Sequence, residues 1–136
     1  MKLVNPLKTH IVEIDKQHDF FVTLINDLDC LIEQKCEDKK IEDLVTEISR
    51  YAKKHFSTEE KYFSKYNYPH SHEHELQHIE MIGKLDIFYD GTVYGKINIK
   101  DFQLFLKEWF EEHLKKHDKK YADFFKKLNI KELKNN

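Results

Sequence analysis

Residues 41–63 read IEDLVTEISRYAKKHFSTEEKYF, and this stretch indicates both the fold and the chemistry of the chain. Its apolar residues recur at intervals of three and four, which is the spacing of one face of an amphipathic α-helix. His55 and Glu59 occupy two positions on that face where the pattern requires apolar side chains. The apolar members of the face are Ile41, Leu44, Val45, Ile48, Tyr51, Ala52, Tyr62 and Phe63.

A preceding stretch has the same spacing and a similar interruption. His18 lies one turn before Phe21 and Val22, on the same predicted helical face. Asp15 is the predicted N-cap of this first helix, because Asp accepts hydrogen bonds from the free N–H groups of a first turn. The apolar residues of this stripe are Phe21, Val22, Ile25, Leu28 and Ile32.

Two further stripes follow. The third helix is expected to start near Pro69, to carry His74 and His78 inward, and to end before an extended connection at residues 89–100. The fourth carries His113, with Asp118 beside its middle section, and the pattern allows either one long helix or two with a bend. The apolar residues of these stripes are Met81, Ile82 and Leu85, then Phe102, Phe105, Leu106, Trp109, Phe110, Leu114, Tyr121, Phe124, Phe125 and Leu128.

Four amphipathic helices with mostly short links predict an all-α fold, an antiparallel up-down four-helix bundle with a di-metal site in its core. The chain has 136 residues, which suits a single domain spanning residues 1–136. Only three Gly and two Pro interrupt it, as expected for long helices.

Composition excludes several classes of protein. A net charge of −2 argues against a nucleic-acid-binding or acidic-membrane surface. No segment has the length of a signal peptide's apolar region or of a transmembrane helix, so we expect a cytoplasmic protein without membrane association.

Cys30 and Cys36 are six residues apart, about 9 Å along a helix axis, which is too far for a disulfide. We expect reduced thiols that serve as buried or half-buried packing residues, with redox activity as the alternative.

The inward-facing polar residues predict a metal site. Burying an ionised carboxylate without a partner costs several kcal/mol, and a cation offsets that cost for every lone pair around it. His55 with Glu59, and His74 with His78, are one turn apart on one face. His113 and Asp118 are five residues apart, about 140° around an α-helix, which suits a site with two ions better than one. The inward-facing set is His18, His55, Glu59, His74, His78, His113 and Asp118.

The type of ion follows from the donors. Seven protein ligands are too many for one tetrahedral zinc. Five imidazoles and two carboxylates fit two ions that favour octahedral coordination, with iron as the leading candidate.

Three further histidines lie close to this set in the sequence. Helical phase directs His72 toward solvent, about 200° from His74. His70 lies on the side of His74 but in the first turn after Pro69, and His117 is one turn from His113, so the spacing leaves both open as ligands.

The ordered set of motifs resembles the hemerythrins, and more specifically the single-domain bacterial hemerythrins. It comprises His18 in VEIDKQH, then HFSTE, HELQH and HLKKHD, and extends over nearly the whole chain. The resemblance implies that His74, His78 and His113 hold one iron, and that His18 and His55 hold a second iron with an open position. It further implies that Glu59 and Asp118 bridge the two ions beside an oxo or hydroxo bridge.

The resemblance also implies a function, which is reversible O₂ binding for storage, delivery or sensing. O₂ would bind at the open iron and leave again as O₂, so the chain would not be an enzyme. Five residues match positions that line the oxygen pocket of the family: Phe21, Phe56, Trp109, Phe110 and Leu114. All five would belong to the core in either case.

Two other functions stay open. One is a di-iron enzyme, an oxidase, a peroxidase or a nitric-oxide-handling protein; the other is an iron-handling or scaffold module. Ferritin-like di-iron enzymes use carboxylate-rich sites, whereas this set is rich in histidine, which favours O₂ binding. The expected partners are O₂ and a downstream oxygen-using enzyme, with a monomeric protein.

Overall fold

The computed structural model describes residues 3–5, 7–93 and 98–129. Within them the helices are α1 (Val12–Glu33), α2 (Asp38–Lys65), α3 (Ser71–Val93), α4 (Ile99–His113) and α5 (Lys119–Leu128). A π-helical turn, Leu114–Asp118, joins α4 to α5, so these three segments form one continuous rod. The predicted all-α four-helix bundle is confirmed.

Two clusters of buried apolar side chains fill the bundle, and the polar residues lie between them. The larger cluster includes Leu28, Val45, Leu85 and Leu106. The smaller cluster is rich in aromatic residues: Ile11, Ile14, Tyr62, Phe63, Tyr68, Tyr121 and Phe125. Burial of each large apolar side chain contributes about 1.5–3 kcal/mol relative to exposure, so the apolar stripes drive assembly and position the polar residues.

Helix α1 begins one turn earlier than predicted. Its N-cap is Ile11 rather than Asp15, and the prediction of an Asp15 N-cap is wrong. The fully buried Ile11 and Ile14 extend the apolar face toward the N-terminus. The Asp15 carboxylate instead accepts hydrogen bonds from the backbone N–H and the hydroxyl of Thr9, at 2.9 and 2.8 Å.

Helix α3 ends later than predicted, at Val93. The first part of the predicted extended connection, residues 89–93, is therefore helical, and residues 94–97 lie outside the described residues. Phe88 explains the extension, because its ring lies 5.1 Å from the rings of both Phe102 and Phe105. Packing against α4 thus outweighs the helix-breaking tendency of Gly91.

The two cysteines are free thiols, and the prediction of buried or half-buried packing is wrong for Cys30, which is exposed. Cys36 is half-buried in the turn between α1 and α2. Among the described residues, no helix combines the length and apolarity needed to cross a membrane.

Candidate metal centre

Seven polar side chains meet in the interior of the bundle, and each of its four helical segments contributes at least one of them. Each side chain is no more than 5% exposed. They are the residues singled out in the sequence: His18 from α1, His55 and Glu59 from α2, His74 and His78 from α3, His113 from α4 and Asp118 from the π-helical turn.

The potential ligand atoms form two groups that share Glu59. One group contains His74, His78 and His113 with Glu59, and the other contains His18 and His55 with Glu59. Within each group the atoms lie within 4.8 Å of one another. We call these the three-histidine group and the two-histidine group. Their spacing is suitable for two separate cations with a common carboxylate.

Glu59 directs one oxygen at each group. Its Oε1 lies 2.9 Å from Nε2 of His78 and 3.4 Å from Nε2 of His74. Its Oε2 lies 3.4 Å from Nε2 of His55 and 3.6 Å from Nε2 of His18. This division of the two oxygens is the arrangement of a carboxylate that bridges two ions.

Asp118 has the same division. Its Oδ1 lies 3.0 Å from Nε2 of His113 and 3.2 Å from Nε2 of His74. Its Oδ2 lies 3.3 Å from Nε2 of His18. The two carboxylates therefore connect the same two groups of histidines.

The π-helical turn explains how Asp118 reaches the site together with His113. Five residues separate them, which in an α-helix would leave the two side chains about 140° apart. In a π-helical turn the hydrogen bonds run from residue i to i+5, as the bond from the N–H of Lys119 to the carbonyl of Leu114 does. The fifth residue then returns to the starting side, and both side chains face inward.

Several buried atoms in the cluster lie close to one another but form no hydrogen bond of good geometry among the described residues. Oε1 of Glu59, Oδ1 of Asp118 and Nε2 of His78 are examples. Buried polar atoms normally have a partner, so such a set calls for an explanation. All three carry lone pairs and all three lie in the cluster between the two groups, so cations there would satisfy them.

Two histidines are oriented by residues outside the cluster. Nδ1 of His55 lies 2.8 Å from Oε1 of Gln17, and Nδ1 of His78 lies 2.9 Å from Oε2 of Glu60. Each oxygen can only accept a hydrogen bond, so each Nδ1 carries the proton. The lone pair of each imidazole is consequently on Nε2, the atom that faces the carboxylates.

Tyr121 also contacts the cluster. It is fully buried and its hydroxyl donates a hydrogen bond to Oε2 of Glu59. Burial raises the pKa of Tyr121 well above its usual range, and the nearby Asp118 and Glu59 carboxylates add to this effect. The hydroxyl therefore stays protonated and holds the Glu59 carboxylate in place.

The carboxylates control the protonation of the imidazoles. Burial lowers the pKa of His18, but hydrogen bonds to Asp118 and Glu59 outweigh that effect and raise it to about 10. The same balance raises the pKa of His74 to about 9. Burial also opposes ionisation of Glu59 and Asp118, yet the surrounding histidines hold both pKa values well below their usual range. The metal-free cluster thus carries protons that a bound cation must displace.

The other histidines lie outside the cluster. His72 is exposed, as predicted. The His70 side chain is 50% exposed and lies 3.5 Å from Glu73. His117 is half-buried, with its ring 5.3 Å from that of His113, but it belongs to neither group.

A cavity of about 10 Å³ adjoins the two-histidine group. Phe21, Phe56, Trp109 and Phe110, four of the predicted pocket residues, line it. Leu114 is buried in the larger apolar cluster but is not part of the lining. The remaining lining residues are Ala52, His18, His55, His113 and Asp118.

Sequence reasoning missed four residues around the site: Gln17, Ala52, Glu60 and Tyr121. Gln17 and Glu60 directly adjoin His18 and Glu59 in the chain and lie off the inward face, so the helical pattern alone assigns them to the surface. Tyr121 and Ala52 lie on the inward stripes and were read only as core. A signal for Tyr121 was present, because it follows Asp118 by three residues on the same face.

Comparison with known proteins identifies a family of cation-binding domains that matches most of this chain. The family model described as the Hemerythrin HHE cation binding domain matches residues 9–125. Bacteriohemerythrin of Clostridium acetobutylicum is 33% identical over 90 residues, which cover 62% of this chain and 67% of the relative.

Solved structures give a similar result for the fold. A crystal structure of wild-type hemerythrin has a TM-score of 0.78 at 23% identity, covering 85% of this chain and 88% of that chain. A crystal structure of a hemerythrin point mutant has a TM-score of 0.83 at 22% identity, covering 90% and 97%. At these identities the two structures show a shared fold.

Proposed function

We propose, from the premise that this chain belongs to the hemerythrin family, that it binds O₂ reversibly at a non-haem di-iron centre. The observation that carries the proposal is the division of the carboxylate oxygens. Glu59 and Asp118 each aim one oxygen at the three-histidine group and the other at the two-histidine group. A pair of iron ions held there would supply the electrons and the coordination position that O₂ needs.

The proposed ligands are unequally distributed. His74, His78 and His113 would hold one ion, and His18 and His55 the other, with Glu59 and Asp118 shared. With a solvent-derived bridge, the first ion would have six ligands and the second five. The second ion would therefore have room for one more, small ligand.

The cavity beside the two-histidine group supports this placement of the ligand. Its lining is aromatic apart from Ala52 and the metal-ligand side chains, and its volume of about 10 Å³ accommodates about one very small molecule. Such a lining excludes bulk water and slows proton delivery to a bound ligand. Slow proton delivery favours release of O₂ unchanged.

The donor set favours a carrier over an oxidase. Five imidazoles and two carboxylates make the site rich in neutral donors, whereas ferritin-like di-iron proteins use carboxylate-rich sites with two Glu-x-x-His motifs. Here the one such match is Glu75 to His78, and Glu75 does not belong to either ligand group.

One experiment tests the proposal. The protein is loaded with Fe²⁺ without oxygen, its metal content is counted, air is added, and oxygen is then removed. We expect two irons per chain and a visible absorption band that appears with air and disappears on removal of oxygen. A permanent ferric product with release of hydrogen peroxide would indicate an oxidase instead. One tightly held zinc without a visible band would contradict the di-iron centre.

A further inference from the structure

The two groups of histidines differ in the charge of their outer hydrogen-bond partners. His78, in the three-histidine group, has the carboxylate of Glu60 on its Nδ1. His55, in the two-histidine group, has the amide oxygen of Gln17 on its Nδ1. The contact lengths are nearly equal, at 2.9 and 2.8 Å, so the difference is one of charge rather than of geometry.

The Glu60 contact places a full negative charge beside one ligand. The Glu60 side chain is 36% exposed and touches solvent, whereas that of His78 is 1% exposed. The hydrogen bond of the Glu60 carboxylate to the imidazole increases the electron density that Nε2 can donate to a cation.

The contact between Gln17 and His55 involves an uncharged amide, whose orientation is fixed by its other hydrogen bonds. Nε2 of Gln17 donates to the hydroxyl of Thr58 at 3.1 Å, and that hydroxyl donates in turn to the carbonyl of Lys54. This chain of bonds fixes the orientation of the amide, so its oxygen faces His55. The imidazole is therefore oriented without receiving the electron density that an anion would supply.

Two further ligand histidines have an outer nitrogen without a partner in the part of the chain that the structure describes. Nδ1 of His18 and Nδ1 of His113 are buried and have no hydrogen-bond partner among the described residues. One of these atoms belongs to each group, so their contributions match. Beyond the extra histidine of the three-histidine group, Glu60 and Gln17 therefore add a difference of charge between the two groups.

We propose that Glu60 and Gln17 are positioning residues that widen the difference between the two metal positions, with Glu60 strengthening the binding of a divalent cation at the three-histidine position. This inference rests on the proposed di-iron site. It predicts an order of loading, in which the three-histidine position fills first. It also predicts that the ion there is more readily held in the ferric state, so that the ion with the open position is the one that stays ferrous longer.

The test is an anaerobic titration of the metal-free protein with Co²⁺, followed by calorimetry and by visible absorption. We expect two binding steps in the unsubstituted protein. Glu60→Gln keeps the hydrogen-bond acceptor and removes the charge, so it should weaken the tighter step by about tenfold, the lower end of the effect of altering an outer partner. Gln17→Glu should tighten the weaker step instead. If Glu60→Gln leaves both steps unchanged, or weakens both equally, the inference is wrong.

Two further variants assign the steps and control for charge. In His18→Ala/His55→Ala protein only the three-histidine position remains, and Glu60→Gln should weaken the single step there. Glu47→Gln makes the same change of charge on the exposed face of α2, about 20 Å along the helix axis from Glu60, and should move neither step. Circular dichroism of each metal-free variant checks that the bundle is folded.

The result of the Co²⁺ titration can be interpreted independently of the experiment with oxygen, and a further measurement uses iron. On the iron-loaded protein, Glu60→Gln should also raise the midpoint potential measured by spectroelectrochemistry. Two unequal Co²⁺ steps without a reversible oxygen band would contradict the proposed function and leave the inequality in place. A reversible band with Co²⁺ steps insensitive to Glu60→Gln would do the reverse.

Discussion

Individual carboxylates decide what this bundle can bind. Glu59 is fully buried and lies within 3.6 Å of four imidazole nitrogens, while Tyr121 holds one of its oxygens by a hydrogen bond. An anion at such a position is stabilised only while cationic or metal partners surround it. The same carboxylate therefore contributes to both stability and metal binding.

Replacing Glu59 by Gln should affect both properties. The amide retains the shape of the side chain but cannot neutralise two cations, so we expect fewer than two metal ions per chain. Removing one partner of a buried ion pair costs about 3–5 kcal/mol, so the metal-free variant should also unfold more easily. Metal analysis and chemical denaturation measure the two effects. The matched control is His72→Ala on the exposed side of α3, which should change neither; loss of metal there would mean that the helical register of residues 70–78 is wrong.

Ala52 determines the size of the cavity beside the two-histidine group. It is 1% exposed, and its methyl group is the smallest side chain in the lining. Ala52→Leu should fill the cavity, abolish the oxygen-dependent absorption band and leave the iron content at two per chain. Ala122→Leu introduces the same bulk at a buried position outside the lining, with a similar cost of about 1–3 kcal/mol. If both variants lose the band equally, overpacking rather than the cavity is responsible.

The regular helices could be predicted from the sequence, and the local irregularities of the helices could not. The intervals of three and four that identified the apolar stripes also placed His18, His55, Glu59, His74 and His78 on inward faces, because an α-helix has a fixed period. The π-helical turn breaks that period. Nothing in the residues LKKHD distinguishes it from an α-helix, so the sequence left the fourth rod undecided and His113 and Asp118 apparently 140° apart.

The helix boundaries and the outer hydrogen-bond partners that the sequence did not predict also have physical explanations. The start of α1 and the end of α3 depend on tertiary packing of Ile11 and Phe88, which local turn signals do not report. Gln17 and Glu60 lie off the inward faces of their own helices and accept hydrogen bonds from imidazoles of neighbouring helices. Contacts of that kind require the arrangement of the helices to be known.

Deletion of Lys116 should convert the π-helical turn to an α-helix. Lys116 is exposed, so no core contact is lost. The His113 and Asp118 side chains would then be four residues apart, about 40° around an α-helix, and should still share a face. We expect metal binding to persist and the melting temperature to rise. Insertion of Ala after Lys116 is the matched variant: it should rotate Tyr121 and Phe125 away from the core and abolish binding. Loss of metal after the deletion would show that the π-helical turn itself is required.

The buried cluster couples the folding of the protein to protonation and to metal binding. The bundle brings seven ionisable side chains into an interior that apolar residues close on both sides. Their charges are balanced either by protons on the imidazoles or by cations. The stability of the protein should therefore depend on pH differently with and without metal.

The metal-free protein should lose stability as the pH rises from about 6.5 toward 10. The folded-state pKa values of His18 and His74 are raised to about 10 and about 9, above the ordinary 6.5. A group whose pKa is raised by folding stabilises the folded state fully below its unfolded pKa and loses that effect as the pH passes the folded pKa. Thermal melts between pH 6 and 10 should thus show a falling melting temperature without metal and a flatter profile with metal bound, because the imidazoles then bind cations instead of protons.

Calorimetry provides the complementary measurement near pH 8. Cation binding there should release at least about two protons per chain, since the imidazoles of His18 and His74, with pKa values of about 10 and about 9, must each give up a proton before Nε2 can coordinate. Burial lowers the pKa of His78, but its hydrogen bonds to Glu59 and Glu60 outweigh that effect and raise it, which adds to the release. Repeating the titration in buffers with different enthalpies of ionisation gives the number of protons directly. In His18→Gln protein the release should fall by about one proton, and the metal-free melting temperature should depend less steeply on pH. An unchanged proton release in this variant would mean that His18 is neutral in the metal-free protein and that the cluster is balanced by other groups.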